Sequence, residues 1–151
     1  MSHSFHLGDE TTHYIDVEVL SRAPNATDYW DGNWLTSVVE IVVGPWKGRY
    51  GASLRAEEFA QFRDQLRTLY DNASAPPAQF DSMEPWLRFN VQRSDRLGHV
   101  RVAGRAQAEP FFDNHNLLEF VLELDQTYLS SVLDELDGIL NEFPVLGSPK
   151  D

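Results

Sequence analysis

The sequence predicts an α+β domain of two layers, with a roughly six-stranded antiparallel sheet and two helices packed on one of its faces. Three observations predict it. Six segments alternate apolar and polar residues with a period of two, which gives each strand one apolar face and suits an antiparallel sheet covered on one side. Two segments switch to the helical period and carry apolar stripes that match that face. The 151 residues are enough for one domain with a buried core. The predicted order is β-β-β-α-β-β-β-α, and its two βββα halves hint at pseudo-symmetry without a repeat strong enough to assign.

Residues 1–12 read as a flexible polar lead, and residues 13–145 as the domain. In the first strand Ile15, Val17 and Val19 alternate with Asp16 and Glu18. "SRAPNATD" is a polar loop that runs into the turn-like stretch "YWDGNWL". The second strand, "SVVEIVV", puts Val39, Ile41 and Val43 on one face and Glu40 on the other, and Gly44-Pro45 turns the chain into a third, "WKGRYGA". Over residues 54–72 the period changes, and Phe59, Phe62, Leu66, Leu69 and Tyr70 fall on one helical face. Glu57 and Glu58 suit the first turn of that helix, and Ser53 is the nearest residue of a good capping type. "NASAPPAQF" breaks the helix.

The second half repeats the pattern. Leu87, Phe89 and Val91 oppose Trp86, Arg88 and Asn90. Val100, Val102, Gly104 and Ala106 oppose His99, Arg101 and Arg105. Leu118, Phe120, Leu122 and Leu124 oppose Glu119 and Glu123. The solvent face is therefore expected to carry Glu40, Arg88, Arg101, Arg105, Glu119 and Glu123, with arginines and glutamates paired across strands. Asp125 is the expected cap of the closing helix. Its stripe is Leu129, Val132, Leu133, Leu136, Leu140 and Phe143, Pro144 stops it, and residues 146–151 form a short tail.

Charge narrows the function. There are 24 acidic residues against 12 basic ones, a net charge of −12. Nucleic-acid binding needs a basic footprint and is disfavoured, whereas a basic protein partner is favoured by opposite fields. The charge is uneven: residues 81–108 hold five bases and three acids, and residues 109–151 hold ten acids and one base. With the sheet arginines paired to glutamates, the acidic surplus falls on Asp28, Asp31, Glu109, Asp113, Asp134, Glu135, Asp137 and Glu142. No cysteine is present, no apolar run approaches a membrane span, and the first residues lack the features of a signal peptide, so a cytoplasmic protein without membrane contact is expected.

Catalytic motifs do not emerge. His3, His6, His13, His99 and His115 form no metal-binding spacing. "DYWDGN" is no calcium loop, because Trp30 occupies a ligand slot and Val39 stands where a closing glutamate belongs. No nucleophile elbow or phosphate-binding glycine loop occurs. Glu119 and Glu123 share a strand face at roughly 13 Å, too far apart for a glycosidase pair. "YWDGNWL" remains: Trp30 and Trp34 flank Asp31-Gly32-Asn33. It reads as a structural corner in which both rings are buried and Asp31 and Asn33 bond local backbone. The alternative is a platform on which Trp30, Trp34 and Trp46 stack a sugar or another small molecule.

"DYWDGNWL" followed by a strand resembles the hallmark of the WapI-type immunity protein family. "LRAEEFAQFRDQLRTL" is similar to that family's first helix, "EPWLRFNV" to its Glu-Pro strand start, and "LELDQTYLSSVLDELDGILNEFPV" to its closing helix ending in Phe-Pro. The resemblance runs in order over residues 13–145. Tyr29, Trp30, Asp31, Asn33 and Trp34 carry its most distinctive cluster, and Arg55 departs from it, standing where the family usually has a Thr or Ser cap. Members are small proteins encoded beside bacterial polymorphic toxins. The resemblance implies a cytoplasmic, non-enzymatic protein without a cofactor that binds and neutralises a cognate toxin domain. Such a partner is expected to be basic and to meet Asp28, Asp31, Asp134, Glu135 and Asp137. A small-molecule or carbohydrate-binding module, or a regulatory protein with no toxin partner, is the competing reading, and the oligomeric state is open.

Overall fold

A computed structural model describes residues 3–112 and 116–150, so the expectations for Asp113 and His115 lie outside the described residues. Within them the chain runs β1 (His3–Gly8), β2 (His13–Arg22), α1 (Tyr29–Gly32), β3 (Trp34–Val43), β4 (Trp46–Arg55), α2 (Ala56–Asp71), β5 (Ala78–Asp81), β6 (Leu87–Arg93), β7 (His99–Gln107), β8 (Leu117–Asp125) and α3 (Tyr128–Glu142). The class is α+β, but the single six-stranded sheet is corrected to two four-stranded antiparallel sheets, β1-β2-β3-β4 and β5-β6-β7-β8. The two halves are each a four-stranded meander followed by a long helix, with α1 inserted in the first.

The two strands missing from the sequence reading are both first strands of a sheet. β1 lies in the lead expected to be flexible, where Phe5 and Leu7 are its buried apolar positions beside Gly8. β5 spans four residues, of which Ala78 and Phe80 are buried. Segments this short fall below what alternation alone detects. Burying Phe5 contributes about 1.5–3 kcal/mol by apolar transfer. Its ring packs against Phe59 and Phe62 of α2, Phe80 of β5 and Phe89 of β6, so β1 closes the core that both sheets and both long helices share.

The sheets separate because each long helix covers the edge of the sheet that begins the other half. α2 follows β4 and packs against β5, while α3 follows β8 and packs against β1. A helix side chain satisfies an edge N–H in both places. Gln65 accepts the amide of Gln79 at 2.8 Å, and Glu135 accepts the amide of His6 at 3.1 Å. Open strand edges are liabilities, and these contacts cover two of them.

The helices keep the expected stripes with local corrections. In α2 Phe59, Phe62, Leu66 and Leu69 are buried, but Tyr70 faces solvent. Ser53 lies within β4, and the residue preceding the helix is Arg55, whose amide is accepted by Glu58 at 2.8 Å. α3 begins after Thr127 rather than at Asp125, which instead accepts the Thr127 amide at 2.9 Å. Ile139 joins its buried stripe. Two glycines are sterically required. At Gly8 φ is +131° and a Cβ would meet the His13 carbonyl at 2.1 Å. At Gly104 a Cβ would meet Phe89 at 2.5 Å and Phe120 at 2.9 Å, the two rings that flank it across the sheet.

The strand faces follow the alternation. Arg105 pairs with Glu119 at 3.5 Å and Arg101 approaches Glu123 at 3.9 Å, each opposite its partner in register. Together with Arg88 they lie on the outer face of the second sheet, while Glu40 lies on the first, held by Lys47 and Arg49.

Candidate functional site

The distinctive cluster is built around a buried arginine. Asp28 caps the single turn of α1, accepting the Asp31 amide at 3.4 Å. The turn presents the carbonyls of Tyr29 and Trp30 to β4. Arg55, at the last position of β4 and directly opposite Trp34 in register, reaches both: Nη2 donates to the Tyr29 carbonyl at 2.6 Å and Nη1 to the Trp30 carbonyl at 2.7 Å. Its Nε donates to Glu57. The guanidinium lies 4.7 Å from the Trp34 ring centroid, 5.4 Å from Tyr29 and 5.6 Å from Trp30. The side chain is 1% exposed. A buried cation survives only with such partners, and the planar five-donor guanidinium supplies geometry an ammonium does not.

Asn33 ties the same corner to the C-terminal segment. It is fully buried, its Nδ2 donates to the carbonyls of Tyr29 at 2.8 Å and Leu146 at 2.9 Å, and its Oδ1 accepts the Leu146 amide at 2.9 Å. Arg22 adds donors to the Gly32 carbonyl at 2.7 Å and to the Pro144 carbonyl. The residues just past α3, read from sequence as the domain's end and tail, are thereby fastened to the motif. Glu58 completes the corner: its two carboxylate oxygens accept the amides of Arg55 and, at 2.5 Å, Met83. Burial pushes its pKa up to about 7, against the pull of those two amides.

The corner's residues bond to one another and to the chain's own backbone, and two expectations for it are corrected. Trp30 is 47% exposed and Trp34 is half-buried, rather than both being buried; Arg55 holds the Trp30 carbonyl and lies against one side of its ring, leaving much of the ring to solvent. Local backbone bonding comes from Asp28 and Asn33, whereas Asp31 stays exposed. Arg22 and Arg55 were not singled out as site residues by the sequence reading. Trp46 does not join the other tryptophans: it opens β4 opposite Val43, at the far end of the hairpin from Trp34 and Arg55, roughly 30 Å away at the usual rise per residue. The three rings therefore form no common stacking platform.

The five candidate contact acids divide into two groups. Asp28, Asp31 and Asp134 are exposed. Asp137 is paired with Arg67 at 3.2 Å and Arg63 at 3.5 Å, linking α3 to α2. Glu135 is half-buried against His6 of β1, and burial raises its pKa. His6 is itself held from several sides: Nδ1 meets Asp16 at 2.8 Å, Nε2 meets the Asp9 carbonyl at 2.6 Å, and the ring lies 4.4 Å from Tyr14. Both nitrogens thus face acceptors, an arrangement that favours the imidazolium. Burial lowers its pKa, and the Asp9 carbonyl, Asp16 and Glu135 more than offset that, leaving it raised.

Among the described residues no group of three or more His, Asp or Glu is placed to hold a metal ion, and no helix is long and apolar enough to cross a membrane. The family whose description reads "Immunity protein WapI-like family" matches residues 6–144, nearly the whole chain, and the chain belongs to that family. No curated protein matches it.

Proposed function

We propose that this member of the WapI-like immunity family acts in the cytoplasm by binding a cognate toxin domain and blocking it through surface complementarity, without catalysis and without a cofactor. The family match over residues 6–144 carries the reading. The net charge of −12 supports a basic partner, since opposite fields speed encounter. The partner arrives down a gradient to which Asp28, Asp31 and Asp134 contribute from the surface, and Glu135 and Asp137 contribute despite their contacts within the fold. The separation of Trp46 from Trp34 speaks against the carbohydrate platform.

Co-expression tests this. The toxin domain encoded beside this chain is induced in a heterologous host with and without it. Restored growth, together with a complex recovered by pull-down from purified proteins, is the expected result. Unrelieved toxicity with a stable, soluble chain and no complex overturns the proposal.

A further inference from the structure

Resting on that reading, we infer that the outer face of the second sheet is the docking surface, and that it takes an acidic side chain of the toxin between Arg88 and Arg105. The strand register sets out the face in rows. Gln79, Asn90, Ala103 and Val121 stand side by side across β5, β6, β7 and β8. They floor a depression of about 660 Å³ whose other lining includes Arg88, Arg105 and Glu119. The next row reads Asp81, Arg88, Arg105, Glu119, which is minus, plus, plus, minus.

That row specifies an occupant. Like charges on directly opposite strand positions are unfavourable, and Arg88 and Arg105 are such neighbours. Among the described residues the acids that pair with them stand on their outer sides, Asp81 at 3.2 Å from Arg88 and Glu119 at 3.5 Å from Arg105, and Arg88 also donates to the carbonyls of Ser82 and Met83. A carboxylate seated between the two guanidinium groups relieves the repulsion and gains charge-assisted hydrogen bonds. Flanking cations on the same partner meet Asp81 and Glu119. A single acid within a basic surface is what a basic toxin domain can present. Phosphate backbone fits worse, because Asp81, Glu119 and Glu123 stand on the same face.

The apolar component is present as well. Leu117 and Val121 are exposed on β8 of this face, and a smaller depression lies between Pro85, Arg88, Arg105, Gln107 and Leu117. Before β8, in the connection that leaves β7, Phe111, edge-on to Trp86, and Phe112 are 66% and 64% exposed. Aromatic side chains and arginines are enriched in interfaces, and Leu117 and Val121 add apolar area to this face. The arginine–carboxylate pairs now on the face are solvent-exposed and weak, so a partner displaces them at little cost.

The experiment measures affinity of the full chain for the purified toxin domain encoded beside it. Val121→Arg fills the floor and Arg105→Glu reverses half of the clamp. Both positions face solvent, and thermal melts verify that each variant folds. Gln61→Lys, exposed on α2, is the control. Each sheet variant is expected to weaken binding by ~30-fold or more, the size of a hot-spot loss, and the control by less than ~5-fold at 0.3 M salt, where long-range attraction is screened. Folded sheet variants that bind as well as the unaltered chain overturn the placement while leaving the immunity reading standing. Failure of the unaltered chain to bind the toxin overturns both. Two other results also overturn the placement: retention of a labelled oligonucleotide that depends on Arg88 and Arg105, or a self-associated chain that Val121→Arg makes monomeric.

Discussion

Arg55 and Arg105 are both strand arginines whose neighbours are set by hairpin register, and they end in opposite conditions. Arg55 faces Trp34, is 1% exposed, and spends its donors on two backbone carbonyls and Glu57. Arg105 faces Glu119 on one side and Arg88 on the other, and is 62% exposed. The first is locked to groups that cannot leave, so it holds the fold. The second is paired with an exposed carboxylate in a contact that solvent already weakens, so it is open to exchange. Solvent exposure and the kind of partner, rather than the residue type, separate a structural charge from an available one.

Removing Arg55 is the strongest way to break that contrast. Arg55→Ala leaves Glu57 and the Trp30 carbonyl without their donor, takes one of two donors from the Tyr29 carbonyl, and opens space under three aromatic rings. The expected loss is about 3–5 kcal/mol in urea melts, the cost of stripping one partner from a buried charge. Arg55→Lys recovers only part of it, because one ammonium does not reproduce the fork. A loss below about 1 kcal/mol for Arg55→Ala, beneath the usual cost of an unpaired buried group, shows that α1 is held by something else.

Glu58→Gln is next in size. The two carboxylate oxygens each accept one amide, from Arg55 and from Met83. An amide side chain has one acceptor, so one buried N–H loses its partner at about 1–3 kcal/mol. The pH dependence sharpens the test. The folded pKa of Glu58 is raised from the ordinary 4.5 to about 7, chiefly by burial. Between those values the folded chain holds more protons than the unfolded one, so Glu58's contribution falls as pH rises from about 4.5 to about 7. Melts across that range are expected to show this component of the slope in the unaltered chain and not in Glu58→Gln.

His6 makes a gentler comparison. Its folded pKa is raised above 6.5, so its contribution is full below the unfolded pKa and is lost as pH rises through the folded one. The groups facing it are Asp9 from the β1–β2 turn, Tyr14 and Asp16 from β2, and Glu135 from α3. His6→Gln is expected to remove the decline in stability above pH 6.5. A decline unchanged in the variant places the titrating group elsewhere.

Much of this was legible before the structure. Alternation located β2, β3, β4, β6, β7 and β8, and it put Arg101 and Arg105 on the same face as Glu123 and Glu119. β1 and β5 were not legible, since two buried apolar residues in each make too short a pattern. The split into two sheets escaped for a related reason: the helices that cover the edges of β1 and β5 are long-range partners that periodicity does not specify. The corner was half legible. Its aromatic residues announced themselves, but Arg55 looked like a poor helix cap. The signal that finds it is register. A two-residue turn at Gly44-Pro45 pairs Val43 with Trp46, and counting back along both strands arrives at Trp34 opposite Arg55. A cation set against an aromatic ring is then the expected contact.

The smallest effect bears most directly on binding. The Arg105–Glu119 pair spans 3.5 Å with both side chains well exposed, and a double-mutant cycle with alanine at each position is expected to give a coupling of only about 0.2–1 kcal/mol. Raising salt from 0.1 to 1 M shrinks the screening length from ~10 Å to ~3 Å, and the coupling is expected to shrink with it. Arg55→Ala is expected to cost nearly the same at both salt concentrations, because water and ions do not reach the guanidinium. The two responses together define the contrast. If the Arg105–Glu119 coupling exceeds about 2 kcal/mol, beyond the range of exposed pairs, or ignores salt, then the outer face is fastened like the Arg55 corner. Arg105 would then not be released at little cost to receive a partner's carboxylate, and the docking surface would have to be sought among the exposed acids Asp28, Asp31 and Asp134 instead.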